Sequence, residues 1–265
     1  LKLRQKGASD FFLGQQAFLI GDLLSSGRIE IDTAETSKLL IDGNVTNTSI
    51  NLLGLDDIQS TGNVSFSSAE NINSITSNKD VILTGGAIVQ EVRSLQNITA
   101  TGGTAITTGI ANGDINYATS GPSDSLSARG DITLSGGSII SGGVDESTIG
   151  LAYSNGNLYI VNKGTINNAR ILGDVENKSN ITTSRFIAEG DITCPYYSQI
   201  SITNTLQSNT AEDNRCNFTG AGTHSDKQNN VLTPVIELNP LTVEKPDIDV
   251  WKLREYANFQ FLHSP

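Results

Sequence analysis

Residues 97–117 decide the fold: Asn-Ile-Thr-Ala-Thr-Gly-Gly-Thr-Ala-Ile-Thr-Thr-Gly-Ile-Ala-Asn-Gly-Asp-Ile-Asn-Tyr, in which the opening Asn-Ile returns as Asp-Ile 17 residues later (114 − 97). The same step from an Asn or Asp to an aliphatic residue occurs in eight copies: Asn63-Val64, Asp80-Val81, Asn97-Ile98, Asp114-Ile115, Asp131-Ile132, Asn157-Leu158, Asp174-Val175 and Asp191-Ile192. The copies are 17 residues apart except once, where 157 − 131 is 26. A fixed period of this length predicts a solenoid, in which each repeat makes one turn and stacks on the next.

Within a repeat the chain alternates between apolar and polar residues after the Asn or Asp, which is typical of a short strand with one buried face. Turn residues follow, such as Gly85-Gly86 and Gly102-Gly103. A second apolar point comes eight or nine residues after the Asn or Asp, and a third is less regular; examples are Ile72, Ile88 and Ile106, then Ile75, Val92 and Ile110. We therefore predict an all-β fold, a parallel β-helix forming a three-sided β-solenoid with about 17 residues per coil. Its narrow bore suits aliphatic side chains better than large rings.

A Gly precedes most of the repeated Asn or Asp residues, and we expect the pair to form a corner. Gly would supply an unusual φ, and the Asn or Asp side chain would bond nearby backbone. The alternative is a calcium-binding ladder, because Asp114 and Asp131, like Asp174 and Asp191, should stack one coil apart. Two such carboxylates repel by only about 1 kcal/mol in water, so the corner needs no metal. We predict neither a metal nor a cofactor.

The chain is acidic, with a formal net charge of −11 and a pI near 4.5. That balance argues against nucleic acid or an anionic membrane surface as a partner. No apolar run of the ~20 residues that would span a bilayer is present. The sequence also lacks Met, so we expect a processed or truncated product, with membrane contact only through a missing upstream segment.

Cys194 and Cys216 are the two cysteines, too few for a zinc or iron–sulfur site. We predict a disulfide that pins the C-terminal segment to the last regular coil. The alternative is a buried thiol at Cys194 with an unrelated free Cys216.

We divide the chain into three parts: a short helix in residues 1–26, a β-solenoid in 27–207, and an extended tail with a helix in 208–265. Phe11, Phe12 and Phe18 belong to the first helix, which either covers the open first coil or is the lower end of a longer hydrophobic helix. Trp251, Tyr256 and Phe259 lie in the last helix, which either caps the solenoid or docks on a neighbouring subunit.

Arg4-Gln5-Lys6-Gly7-Ala8-Ser9-Asp10-Phe11-Phe12, followed by Gln15-Gln16-Ala17-Phe18, resembles the stretch after the membrane segment in minor pilins of type IV pili. The resemblance implies an N-terminal helix that packs into a filament and a β domain that faces outward. It also implies a disulfide near the C-terminus, a place that Cys194 and Cys216 would fill.

Ala128-Arg129-Gly130-Asp131-Ile132 and Ile171-Leu172-Gly173-Asp174-Val175 are similar to segments of bactofilins. This second resemblance implies a short-coiled triangular β-helix that associates end to end into polymers.

The main functional hypothesis is a non-catalytic extracellular structural subunit of a bacterial surface filament, with adhesion to surface glycans as an additional role. Its partners would be copies of itself or other filament subunits. The alternatives are a bactofilin-like scaffold and a polysaccharide-acting enzyme, although no nucleophile–base constellation is visible. The nine extra residues lie around Ser141–Asn155, and Asp145, Glu146 and Tyr153 there form either a recognition loop or an inert bulge.

Overall fold

The computed structural model describes residues 57–67, 71–136, 148–162, 164–209, 215–226 and 232–241, together with the backbone of eight further strands that lie between Leu3 and Leu53. Every regular element among them is a β-strand, and every strand pair is parallel.

Two long sheets run through the molecule. The sheet that we call the short-strand sheet has 11 strands, in this order: Leu3–Arg4, Leu23–Ser25, Val45–Asn47, Val64–Ser67, Val81–Thr84, Ile98–Thr101, Ile115–Ala118, Ile132–Ser135, Leu158–Ile160, Val175–Asn177 and Ile192–Thr193. The long-strand sheet has 13 strands: Gln16–Ile20, Lys38–Asp42, Asp57–Ser60, Asn71–Ser77, Ile88–Ser94, Ala105–Ala111, Ser123–Ala128, Thr148–Ser154, Thr165–Ile171, Ile181–Ala188, Gln199–Ser208, Asn217–Thr219 and Thr223–Asp226, the last two both pairing with Gln199–Ser208. A third sheet joins Phe11–Leu13, Ile29–Ile31 and Leu52–Leu53.

The pairing register confirms the sequence period. Val81 pairs with Ile98, Ile98 with Ile115 and Ile115 with Ile132, each 17 residues further on. Ile132 then pairs with Leu158, so the insertion leaves the stacking intact. The protein is a parallel β-solenoid with about 17 residues per turn in its regular part.

The interior consists of stacked side chains whose relative exposure is 3% or less at the first apolar position of all eight repeats. In the turn that begins at Val81, the inward residues fall into three runs: Val81 with Leu83, Ala87 with Val89, and Val92 with Ser94. Two successive outward residues, Gln90 and Glu91, interrupt the alternation of the long strand. The chain therefore bends there, and one long strand lines two parts of the bore.

Two details of the predicted interior are wrong. Ile88 and Ile110 were assigned inward positions, but Ile88 is 44% exposed and the neighbouring Val89 is buried, pairing with Ile106. Large rings also enter the bore, because Tyr117, Phe66 and Phe186 are among its largest fully buried side chains. Small inward residues such as Ala100 in the paired strand make room beside Tyr117.

The residues predicted as an N-terminal helix contain three strands of the structure. Phe11–Leu13, Gln16–Ile20 and Leu23–Ser25 are strands, so Phe11, Phe12 and Phe18 stand in the β-solenoid rather than on a helix. Gly14 and Gly21 each disfavour a helix by about 1 kcal/mol relative to Ala, whereas the next turn offers a strand edge for pairing. The predicted C-terminal helix, with Trp251, Tyr256 and Phe259, lies outside the described residues.

The repeated Asn and Asp side chains form a continuous hydrogen-bonded column that we call the corner ladder. Each Oδ1 accepts the backbone N–H of the equivalent residue in the next turn, at 2.6 to 3.2 Å, in seven consecutive steps from Asn63 to Asp191. Asn and Asp serve equally because the bond needs only an acceptor oxygen. The ladder confirms the corner role that the sequence predicted.

The glycines that precede the ladder residues are needed for space and not for an unusual φ. The described glycines with positive φ are Gly85, Gly86, Gly102, Gly103, Gly136 and Gly220, which excludes those of the corner. A Cβ added at Gly130 would overlap Asp114 Oδ1, and one at Gly190 would overlap Asp174 Oδ1. In these two turns a side chain would displace the rung below, whereas the turns with Lys79 and Gln96 at the same place keep their rungs.

Candidate functional site

The disulfide predicted from the sequence is present and closes the C-terminal end of the regular turns. Cys194 and Cys216 are bonded, with Cα atoms 4.9 Å apart and a sequence separation of 22. Cys194 is fully buried and Cys216 nearly so. The bond therefore ties the segment after Gln199–Ser208 to the strand Ile192–Thr193, as predicted.

Asn177, which breaks the apolar pattern of its row, is explained by this disulfide region. It is fully buried, and its Nδ2 donates to Ser198 Oγ at 3.1 Å and approaches Cys194 Sγ at 3.9 Å. Ser198 Oγ in turn donates to Asn177 O at 2.7 Å. The exception is thus a satisfied polar pair beneath the disulfide.

A tight turn directly after Cys194 presents two tyrosines to solvent. Tyr197 N–H donates to Cys194 O at 3.0 Å, with Pro195 at the second position of the turn, where its fixed φ is favourable. Tyr196 and Tyr197 are each 72% exposed. Such exposure is unusual for residues that prefer partial burial, and exposed aromatic patches mark interaction sites.

Tyr196 lines an open cleft of about 530 Å³, which we call the tyrosine cleft, whereas Tyr197 follows it in the turn. The other lining residues are Glu176, Lys178, Thr193, Cys194, Pro195 and Arg215. The Arg215 guanidinium lies 5.8 Å from the centre of the Tyr197 ring, within the range of a cation–π contact. Lys178 Nζ lies 2.5 Å from Glu176 Oε1. The hydrogen bond to Glu176, followed by its negative charge, raises the pKa of Lys178. The cleft thus combines flat aromatic surface with charged donors and an acceptor.

Two residues of the cleft region have a left-handed backbone conformation. Tyr197 has φ 55° and Arg215 has φ 66°, and they are the two described non-glycine residues with positive φ. The conformation costs each roughly 1–2 kcal/mol, so the surrounding turn and disulfide must hold it. Residues in such regions cluster at ligand-binding sites.

A second feature runs along the side of the solenoid, where residues 232–241 form an extended segment that we call the strap. Asn112 Nδ2 donates to Leu238 O at 3.0 Å, and Asn112 Oδ1 accepts Leu238 N–H at 2.8 Å. Asn78 makes the same pair of bonds with Leu241, at 2.9 and 2.7 Å. Asn155 Oδ1 accepts the N–H of Val235 at 2.7 Å. These three asparagines, which we call the asparagine rail, stand two residues before the ladder residue in alternate turns.

The rail and the strap match because their repeat distances agree. Strap residues three apart are bound, and a polyproline II segment advances ~9.3 Å in three residues. Two stacked turns advance ~9.6 Å. Arg129, at the rail position of an intervening turn, bonds Glu237 at 2.9 Å. The burial of the strap follows a period of three, since Leu232, Val235, Leu238 and Leu241 are less exposed than the residues between them.

The residues predicted as a recognition loop are not brought together in the described part of the protein. Asp145 and Glu146 lie outside it. Tyr153 is half-buried on the outer side of Thr148–Ser154, between Ser127 and Arg170 of the paired strands. The tyrosine cleft was missed from the sequence, although the Pro-Tyr-Tyr that follows Cys194 was its signal.

No protein-family model, curated protein or solved structure matches the chain. Within the described residues, no helix has the length and apolarity needed to cross a membrane, and no three His, Cys, Asp or Glu side chains gather as metal ligands.

Proposed function

We propose that the protein is a non-catalytic structural subunit of an extracellular, pilus-like bacterial filament. A three-sided β-solenoid forms its outward-facing or building body, and adhesion is an additional role. The observation that carries the proposal is the Cys194–Cys216 disulfide at one end of a solenoid with an aliphatic interior.

The disulfide supports an oxidising location. Disulfides persist outside the cytosol and are rare within it, where thiols are kept reduced. Cys194 lies in the interior row of the solenoid, so the bond braces the stacked turns themselves rather than a peripheral loop. A secreted rod gains most from such a brace, because each turn contacts only its neighbours.

The use of the acidic residues supports a structural role. Asp114, Asp131 and Asp174 accept backbone N–H groups in the corner ladder. Asp57 Oδ1 accepts the Ser74 hydroxyl at 2.6 Å and the Asn73 amide at 3.3 Å. Carboxylates engaged in this way hold turns together, whereas acid–base catalysis requires a carboxylate aimed at a substrate.

The parallel architecture supports assembly through the ends of the solenoid. Ile192–Thr193 is the last strand of the short-strand sheet among the described residues, and a terminal strand of a sheet is a place where a strand of another molecule can add. We propose a pilus-like filament as the assembly because residues 4–18 resemble minor pilins. A bactofilin-like cytoplasmic scaffold is the second candidate, favoured by the long continuous parallel sheets.

Cell fractionation combined with non-reducing electrophoresis tests the proposal. We expect the chain in the surface fraction, with a mobility shift on reduction that the Cys194→Ala/Cys216→Ala variant lacks. Immunogold labelling should then decorate filaments. A reduced chain confined to the cytoplasm would reject the proposal in favour of the scaffold, and hydrolysis of a polysaccharide by the purified chain would reject it in favour of an enzyme.

A further inference from the structure

We propose that the tyrosine cleft is a glycan-binding site, in which the ring of Tyr196 stacks on a pyranose face while Arg215, Lys178 and Glu176 hydrogen-bond the sugar hydroxyls. This inference rests on the proposed extracellular function and names the partner of its adhesive role.

The aromatic surface of the cleft fits the apolar face of a sugar ring. Tyr196 in the cleft and Tyr197, the next residue of the same turn, are each 72% exposed. Tyrosine offers a large, flat and amphipathic contact area with few rotatable bonds, so little conformational entropy is lost when a ligand binds. A pyranose presents C–H groups on one face and hydroxyls around its edge, and this matches rings that have a polar surround.

The cleft is fixed before a ligand arrives. Pro195 sets the turn, the disulfide holds its first residue, and Tyr197 keeps a left-handed backbone. Arg215 directly precedes Cys216, the other half of the disulfide, and its guanidinium lies over the Tyr197 ring. Preorganisation of this kind increases affinity because the cost of ordering the site has already been met during folding.

The charged side chains supply directional hydrogen bonds. Glu176 and Lys178 are paired, each side chain being 35% exposed, so a donor and an acceptor stand side by side. Arg215 adds a positive charge, which gives the lining side chains a sum of +1 (−1 for Glu176, +1 each for Lys178 and Arg215). The overall charge of −11 acts weakly here, since charges beyond about 8 Å are screened at physiological salt. These side chains can hydrogen-bond the hydroxyls of neutral sugars and of sugars that carry a carboxylate.

The test uses the purified full chain with its disulfide formed, first on an array of neutral and acidic oligosaccharides and then by calorimetry. Cellotetraose, tetragalacturonate and sialyllactose serve as the calorimetric probes alongside any array hit. We expect saturable binding that Tyr196→Ala weakens by about tenfold or more and that Tyr196→Phe, which keeps the ring, changes by less than about twofold. Tyr153→Ala, an outward tyrosine on another face, is the matched control and should bind as the unchanged chain does. Arg215→Ala separates the two sugar classes, because it should weaken an acidic ligand more than a neutral one.

Absence of saturable binding across the array overturns the inference, and so does equal binding by Tyr196→Ala and the unchanged chain. These results are independent of the fractionation experiment. If the chain is secreted but binds no glycan, the proposed binding site is rejected and the proposed structural function stands. If the chain binds glycan but is reduced and cytoplasmic, the proposed extracellular function is rejected.

Discussion

The side-chain amide of Asn112 pairs with the backbone of Leu238, 126 residues away, through one donated and one accepted hydrogen bond. The bonding is of the kind that two β-strands exchange, except that a side chain supplies one partner. The rail bonds only backbone groups of the strap, so these hydrogen bonds depend on spacing. The bound residues Val235, Leu238 and Leu241 are also apolar and at least partly buried. Loss of a single rail residue should therefore loosen the strap without disturbing the solenoid.

Asn112→Leu tests the rail. The equivalent position is Leu95 in the preceding turn, so the turn itself should accommodate leucine. The strap loses two hydrogen bonds, each contributing about 0.5–1.5 kcal/mol net. Hydrogen exchange of the Val235, Leu238 and Leu241 amides should accelerate by roughly tenfold or more, while strand amides keep their protection.

Asn116→Leu is the matched control, since Asn116 is exposed on the outer side of Ile115–Ala118 and bonds no strap residue. It should leave strap exchange unchanged. Equal protection of the strap in both variants would show that the rail does not hold it.

The corner ladder gives a second prediction, in the form of a double-mutant cycle between Asp114 and Gly130. Gly130→Ala should destabilise by about 1–3 kcal/mol, because its Cβ overlaps Asp114 Oδ1. Asp114→Ala removes the acceptor of the Asp131 N–H and should cost about 1 kcal/mol. The double variant should be more stable than the sum of the two single changes predicts, because Asp114→Ala removes the oxygen that the Cβ added by Gly130→Ala would overlap.

Denaturant unfolding followed by circular dichroism measures this coupling. Asp114→Asn is the control and should be near neutral, because Asn97 and Asn157 fill the same role in other turns. Strict additivity of the two alanine changes would contradict the steric account of the corner glycine.

The solenoid was predictable because the same residue type recurs at the same place in each 17-residue repeat. Val81, Ile98 and Ile115 stack as expected, since an apolar residue next to an Asn or Asp can occupy only one place in a repeating turn. Ile88 was misassigned because an apolar residue beside a bend can face either way. The strands before residue 27 were missed because the first turns pair at longer spacings, such as Leu23 with Val45, and do not show the 17-residue period.

The functional features were harder to find, since they depend on positions that are far apart in sequence. Asn78 and Asn112 are separated by two turns, and their partners lie in a tail whose period of three matches nothing in the repeat. A search for residues recurring every second repeat would have found the rail. The tyrosine cleft required knowing that Cys194 and Cys216 are joined, because only then do Tyr197 and Arg215 meet.

The disulfide gives a third prediction. Replacing Cys194 and Cys216 together by alanine should destabilise the C-terminal turn by about 3 kcal/mol, the loop-closure entropy expected for a loop of this length. Because neighbouring turns interact locally, exchange should accelerate in Gln199–Ser208 and much less in Ile98–Thr101. Adding a reductant to the unchanged chain should reproduce the pattern and leave the variant unaffected. A uniform loss of protection along the solenoid would instead indicate a single cooperative unit.

Tyr117 places a phenol hydroxyl in the bore of the solenoid, where it bonds backbone groups. Its Oη donates to Pro122 O at 2.8 Å and accepts the Ile106 N–H at 3.3 Å. Burial raises the pKa of Tyr117 to about 12, an effect that the bond from Ile106 partly offsets. The folded protein therefore binds this proton more tightly than the unfolded chain, whose tyrosines titrate near pH ~10.

Stability should consequently fall as the pH rises from about 10 to about 12, since only in that window does the unfolded chain release the proton while the folded protein keeps it. The stabilisation is fully present below the lower of these values.

Tyr117→Phe should be less stable at pH ~8 by about 1–3 kcal/mol, because the Ile106 N–H loses its partner in the bore. Between pH ~10 and ~12 the difference between the two proteins should shrink by about 2–3 kcal/mol, the equivalent of a two-unit shift. Denaturant titrations of both proteins across this range measure it, and every other titrating group cancels in the comparison. A constant difference would mean that the Tyr117 proton is not held by the fold.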